Sequence, residues 1–233
     1  GDRADPAEVT RILNDQLAGV LYVSDSTAAA QLQREGIDPA RVQIVGNLLV
    51  DAIQAAMAAT AADDPGSWRQ MLRGLQADRH GYGLVVLQEP STLDDRRNLG
   101  QSVLLLRDVS RDMPLLWPLA SSTQQKLDGF GLGEMLEGER VARIAPRAFE
   151  DLMPLLGDAT CVVTDTWAVQ EAATSLGVPC LTVGTRPASA VTVSEGSNTC
   201  IGYSTTLATR AVWEIIFNGG KRGTNPTNWD GRA

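Results

Sequence analysis

Residues 161–176 read CVVTDTWAVQEAATSL, and the change of period inside this run decides the fold. Cys161–Asp165 is short and continuously apolar or β-branched until its last residue, the pattern of a strand covered on both faces. Thr166-Trp167 breaks it, and Ala168–Leu176 continues as a helix. A buried strand that turns directly into a helix is half of a βαβ unit, so a parallel sheet is expected around it.

Working outward, further strands are predicted at Leu84–Leu87, Leu115–Leu119 and Val141–Ile144 before this run, and at Cys180–Val183 and Thr199–Ile201 after it. Helical segments separate most of them, at Leu93–Asp112, Ser122–Phe130 and Phe149–Leu156, with Leu207–Phe217 following the last strand. Alternation of this kind with short loops argues for right-handed crossovers. The predicted fold is therefore α/β, a doubly wound, mostly parallel six-stranded sheet. The commonest strand order for such a sheet is 3-2-1-4-5-6. It would set Leu84–Leu87 beside Cys161–Asp165, with a crevice where their following loops, Gln88-Glu89-Pro90 and Thr166-Trp167, point apart.

Upstream, Pro6–Ala18 reads as a helix with Val9, Ile12, Leu13 and Leu17 on one face. The strand VLYVS (20–24) follows, then a helix capped by Asp25 or Ser26 and ended by Gly36, and a short strand at Val42–Val45. A helix over Leu48–Ala59 precedes the polar break Asp63-Asp64-Pro65-Gly66, a short helix at Trp68–Leu75 and the turn at His80–Gly83. Residues 219–233 read as an irregular tail. The open edge of VLYVS invites pairing, so either association of copies or a preceding domain outside this chain is expected to cover it.

Composition excludes several classes. The chain has 233 residues, 43% hydrophobic and 21% charged, an ordinary globular balance. No apolar stretch approaches the roughly 18 residues of a membrane helix, so no membrane partner is expected. A formal net charge of −8 without a basic run would repel a nucleic-acid backbone. Small anions remain compatible, because helix N-termini bind phosphate locally. Three cysteines, Cys161, Cys180 and Cys200, lie in predicted strands with no metal-ligand or redox spacing, so they are read as core residues of a cytoplasmic protein. No metal and no cofactor is expected. The single histidine, His80, is placed in a surface turn, which rules out a His–Ser–Asp or His–Cys constellation.

Each residue at the crevice has a plain reading beside its functional one. Asp165 reads as a cap of the following helix. Thr166 reads as a cap or as a phosphate ligand, and Trp167 as a packed aromatic roofing the crevice or as a stacking platform. Glu171 lies in the first helical turn, where the dipole favours an acid, or touches a ribose. Gln88 and Glu89 form a solvated loop or line the crevice, with Ser91 or Thr92 capping the next helix. Arg186 is a surface residue or a phosphate cation.

The segment 161–202 resembles the non-hydrolysing UDP-N-acetylglucosamine 2-epimerases. The residues that carry the likeness are Asp165, Gln170, Glu171, Leu176-Gly177, Pro179 and Gly196-Ser197-Asn198. Upstream, Val45-Gly46-Asn47 with Asp51, then Pro146 and Phe149, and finally Asp230-Gly231-Arg232 continue it along nearly the whole chain. The resemblance implies a GT-B arrangement of two Rossmann-like halves holding a nucleotide-sugar. It makes residues 1–45 the end of an N-terminal domain, 46–218 the C-terminal nucleotide-sugar-binding domain and 219–233 a tail. It implies a UDP-sugar or related nucleotide as partner.

The departures fall on site positions. The family's Ser-Gly-Gly, which grips the diphosphate, is Thr166-Trp167-Ala168 here, and Trp167 adds bulk where backbone approaches phosphate. The second Glu, which in the family holds the ribose, is Ala172. The His of the loop after the first strand is Gln88, which cannot transfer a proton near neutral pH. The aromatic associated with uracil is Leu152. The family's Glu-Arg-Pro-Glu loop corresponds either to Ala188–Val191 or, shifted, to Thr185-Arg186-Pro187. Three readings stay open: a divergent family member that binds a UDP-sugar-like nucleotide, a non-catalytic interaction module with its crevice filled by Trp167, and the second half of an active epimerase. No catalytic residue is assigned.

Overall fold

The computed structural model describes residues 6–60, 81–185 and 188–233. The Asp63–Gly66 break, the Trp68–Leu75 helix, His80 and Arg186 lie outside the described residues. The chain divides into two compact units, Gly1–Ala52 with Pro226–Ala233, and Ile53–Asn225.

In the first unit, strands β1 (Leu21–Val23) and β2 (Val42–Ile44) pair in parallel, Leu21 opposite Val42 and Val23 opposite Ile44. Asp25 caps the helix Ser26–Arg34 by accepting the Ala28 amide at 2.9 Å. Leu21, Leu32 and Ile37 form a small core with Ala18, Val23 and Val42 against it. On the helix Pro6–Leu17, Arg11 gathers three acids: Glu8 at 2.7 Å, Asp15 at 2.6 Å and Glu35 at 2.7 Å. Its guanidinium holds the Glu8 carboxyl down at about 2 and the Glu35 carboxyl below the usual range. Pro226–Ala233 has no regular structure, and at Gly46 the chain passes so near the Asn228 carbonyl that a Cβ would lie 2.5 Å from it.

The second unit is the predicted sheet. Six strands, β3 (Gly83–Val86), β4 (Leu115–Pro118), β5 (Val141–Ile144), β6 (Cys161–Thr164), β7 (Cys180–Thr182) and β8 (Asn198–Cys200), lie in the order β5-β4-β3-β6-β7-β8, all pairs parallel. This is the 3-2-1-4-5-6 order, with Gly83 opposite Cys161 and Val86 opposite Thr164. Val85, Leu115, Trp117, Cys161, Val163 and Leu181 face the helices Arg96–Ser110 and Thr205–Asn218. Strand alternation sends Leu84, Leu116, Val162 and Cys180 to the other face, and the helix Trp167–Ser175 packs on β6, β7 and β8.

Three details differ from expectation. The helix expected over Leu93–Asp112 is two, Pro90–Leu93 and Arg96–Ser110, because Asp95 and not Ser91 or Thr92 is the cap, accepting the Arg97 and Asn98 amides at 2.9 Å. Cys200 is exposed, since β8 is the last strand of the sheet, while Cys161 and Cys180 are buried as expected. A five-residue helix, Ala190–Ser194, lies in the connection from β7 to β8. Among the described residues no helix is long and apolar enough to cross a membrane.

Candidate functional site

β3 and β6 are neighbours at the sheet centre, and their C-terminal ends deliver Gln88-Glu89 and Asp165-Thr166 to one place. Asp165 ties them together. Its Oδ1 accepts the Gln88 amide at 2.9 Å and its Oδ2 the Glu89 amide at 3.2 Å, and the Thr92 side chain bonds to it as well. The carboxyl is buried. Burial raises its pKa, and the bonds from Gln88, Thr92 and Glu89 oppose that rise.

This overturns the cap reading of Asp165. Thr166, not Asp165, occupies the N-cap position of Trp167–Ser175, with extended backbone (φ −107°, ψ 141°), and no side chain caps that helix end. Asp165 stands one residue too early to reach the first-turn amides, while the loop after β3 offers it two. Thr166 is itself buried, its amide donating to Thr164 Oγ1 at 3.2 Å and its hydroxyl 3.3 Å from that oxygen. The carbonyl of Thr166 accepts the Gln170 amide, closing the first turn. The amides of Ala168 and Val169 have no carbonyl partner within the helix. The positive end of the helix dipole lies at this first turn.

Trp167 begins the helix and is 56% exposed, and Ala168 is exposed beside it. An indole filling the crevice would be buried, so the filled-crevice reading is corrected on this point. Gln88 is exposed at the opposite lip, held by its backbone bond to Asp165. Glu171, half-buried one turn along the helix, accepts the Ser189 hydroxyl at 3.4 Å. Leu152 stands apart: it is half-buried in the first turn of Phe149–Gly157, the helix that leaves β5, three strand positions from β6. On the same edge of the sheet, a hollow of about 490 Å³ at the ends of β4 and β5 is lined by Leu119, Ser121, Gln124, Arg143, Ile144 and Pro146.

A chain of buried polar bonds supports the β7 side. Gln170 Oε1 accepts the Ser189 amide at 2.9 Å, and Thr192 Oγ1 donates to the Ser189 carbonyl at 2.7 Å. Asn198 Nδ2 donates to Thr192 Oγ1 at 3.0 Å, and Asn198 Oδ1 accepts the Thr182 hydroxyl at 2.7 Å. A Cβ at Gly196 would lie 2.4 Å from Thr174 Oγ1 and 2.7 Å from the Thr192 carbonyl, so only glycine fits there. Sequence reasoning noted Gln170 and Asn198 as motif residues but not this support. The tie made by Asp165 and Thr92 had only one legible signal, an acid at the end of a buried strand.

Comparisons with known proteins place these features. The profile of the family described as UDP-N-acetylglucosamine 2-epimerase matches residues 1–231. A UDP-N-acetylglucosamine 2-epimerase of Methanocaldococcus jannaschii is 27% identical over 228 residues, 97% of this chain and 61% of that protein. One from Methanococcus maripaludis is 28% identical over 205 residues, 86% of this chain and 55% of that protein. The M. jannaschii UDP-GlcNAc 2-epimerase, solved in complex with UDP-GlcNAc and UDP, superposes with a TM-score of 0.84 at 25% identity, over 99% of this chain and 64% of that one. The chain thus spans less than two thirds of the length of these relatives.

Proposed function

The chain belongs to the UDP-N-acetylglucosamine 2-epimerase family, and from that premise we propose that it binds a UDP-sugar-like nucleotide at the crevice between β3 and β6. The observation that carries this reading is the Asp165 tie, which holds both lips of the crevice in place beside the helix start, where Trp167 and Ala168 are exposed. The diphosphate is assigned to the Thr166 hydroxyl and the amides of Ala168 and Val169, with Arg186 as the added cation and Glu171 as the ribose contact. The base is directed along the sheet edge toward Leu152 and the hollow at β4 and β5.

Epimerisation is a further step, in which a proton leaves C2 and UDP is eliminated and re-added. Gln88 stands where the family's histidine would act, and an amide cannot exchange that proton. Loss of one positioned acid or base commonly costs about 10²–10⁴ in rate, so binding without appreciable turnover is proposed for this chain. The same reading makes 1–45 the end of a Rossmann-like domain, 46–218 the nucleotide-sugar domain and 219–233 a tail. Three free thiols support a cytoplasmic setting.

Calorimetric titration of UDP into the chain tests the binding site. Micromolar binding is expected, weakened roughly tenfold by Thr166→Val, which removes one hydrogen bond to a charged group. No heat at millimolar UDP would overturn the assignment. Incubation with UDP-N-acetylglucosamine followed by NMR is expected to give no manno epimer above a control without protein.

A further inference from the structure

Tyr203 lies in the turn that joins β8 to the helix Thr205–Asn218. Its ring packs against the main hydrophobic core, and the residue is half-buried. Gly184, just past the end of β7, marks where its hydroxyl stands. A Cβ at Gly184 would lie 3.7 Å from the Tyr203 hydroxyl and 3.9 Å from Thr92 Oγ1. The Thr92 side chain is already committed to Asp165. The Tyr203 hydroxyl makes no hydrogen bond among the described residues, and it is not one of their buried, unpaired polar atoms, so solvent reaches it.

Strand register relates this hydroxyl to the helix start. Thr164 pairs with Thr182, and the Val183 amide donates to the Thr164 carbonyl at 2.8 Å. Continuing that register by two residues sets Gly184 level with Thr166, at about the 4.8 Å spacing of neighbouring strands. Gly184 has φ +101°, a conformation open to glycine, and its lack of a Cβ keeps the space beside both hydroxyls clear. We infer that Tyr203 is a further ligand-binding residue, whose hydroxyl donates a hydrogen bond to a phosphate oxygen of the nucleotide. This rests on the proposed nucleotide site. A phosphate oxygen only accepts, so it suits a donor without an acceptor in the protein, and its charge strengthens the bond. The packed ring already holds the donor in place, so binding costs little rotamer freedom.

Tyr203→Phe keeps the ring and removes only the donor. Wild type and variant are compared by calorimetric titration of UDP and UDP-N-acetylglucosamine, by phosphorus NMR of bound UDP, and by thermal unfolding without ligand. The variant is expected to weaken both ligands alike, on the order of tenfold, and to move a phosphorus resonance of bound UDP while melting as the wild type does. UDP affinity left unchanged by Tyr203→Phe would overturn the inference. Weaker binding with the phosphorus resonances unmoved would also overturn it, since the hydroxyl would then meet the ribose or the base. A lower melting temperature of the free variant would overturn it by showing that the hydroxyl serves the fold. Absence of UDP binding by the wild type would instead remove the nucleotide site itself, a result distinct from those three.

Discussion

A buried carboxylate is stabilised only by what bonds to it, and Asp165 relies on two amides and the Thr92 side chain. In Asp165→Ala the Gln88 and Glu89 amides lose their acceptor, and an unsatisfied buried donor costs about 1–3 kcal/mol. Asn at 165 would keep one acceptor oxygen and set an NH2 group against the other amide, so it should lose part of the same stability. Because burial raises the Asp165 pKa, the folded state holds this proton more tightly than the unfolded chain. Its stabilising effect is full below the unfolded carboxylate range and is lost as pH rises through the folded value. Urea unfolding across that acid range should give wild type and Asp165→Asn slopes that differ by this contribution, since the other carboxylates act equally in both. Equal slopes would mean that Asp165 ionises as freely in the folded protein as in the unfolded one.

At the scale of elements, the helix Pro6–Leu17 is bound to the end of Ser26–Arg34 through Arg11 and Glu35. Here the pKa shifts have the opposite sign. Arg11 lowers Glu8 and Glu35, so the stability they lend is present above the ordinary carboxylate range and is lost as pH falls through the folded values, about 2 for Glu8. Arg11→Gln should return the Glu8 midpoint toward its ordinary value near 4.5, read from its carboxyl carbon chemical shift. A midpoint that stays near 2 would show that Arg11 is not what holds it. Partial exposure of the pairs keeps their contribution to global stability small.

For the molecule as a whole, the first unit leaves apolar surface uncovered. Leu17 is 85% exposed, Leu48 70% and Tyr22 67%. A parallel pair of strands is rarely stable with its faces open to water. The chain is therefore expected to associate through β1 and its flanking helix, giving a sedimentation mass above that of one chain at micromolar concentration. Tyr22→Lys puts a charge on that strand and should return it to monomer. A wild type that sediments as a monomer at all concentrations would refute this.

What the sequence determined by itself was the sheet. The short apolar strands, the spacing of the helices and the residues Asp165, Gln170 and Gly196-Ser197-Asn198 were enough to place β3 beside β6 and to indicate the family, because period and motif are local properties. Its errors lie where a local signal had two outlets. Asp165 could have capped a helix, and Cys200 carried the pattern of a core strand. Only the tertiary structure decided that Asp165 bonds across to the loop after β3, and that β8 is the outer strand of the sheet, which leaves Cys200 exposed. Trp167 belongs with them, since the same position beside a crevice suits a buried plug or an open platform. A side chain's partners and exposure depend on segments far away in the chain, and no window of sequence contains them.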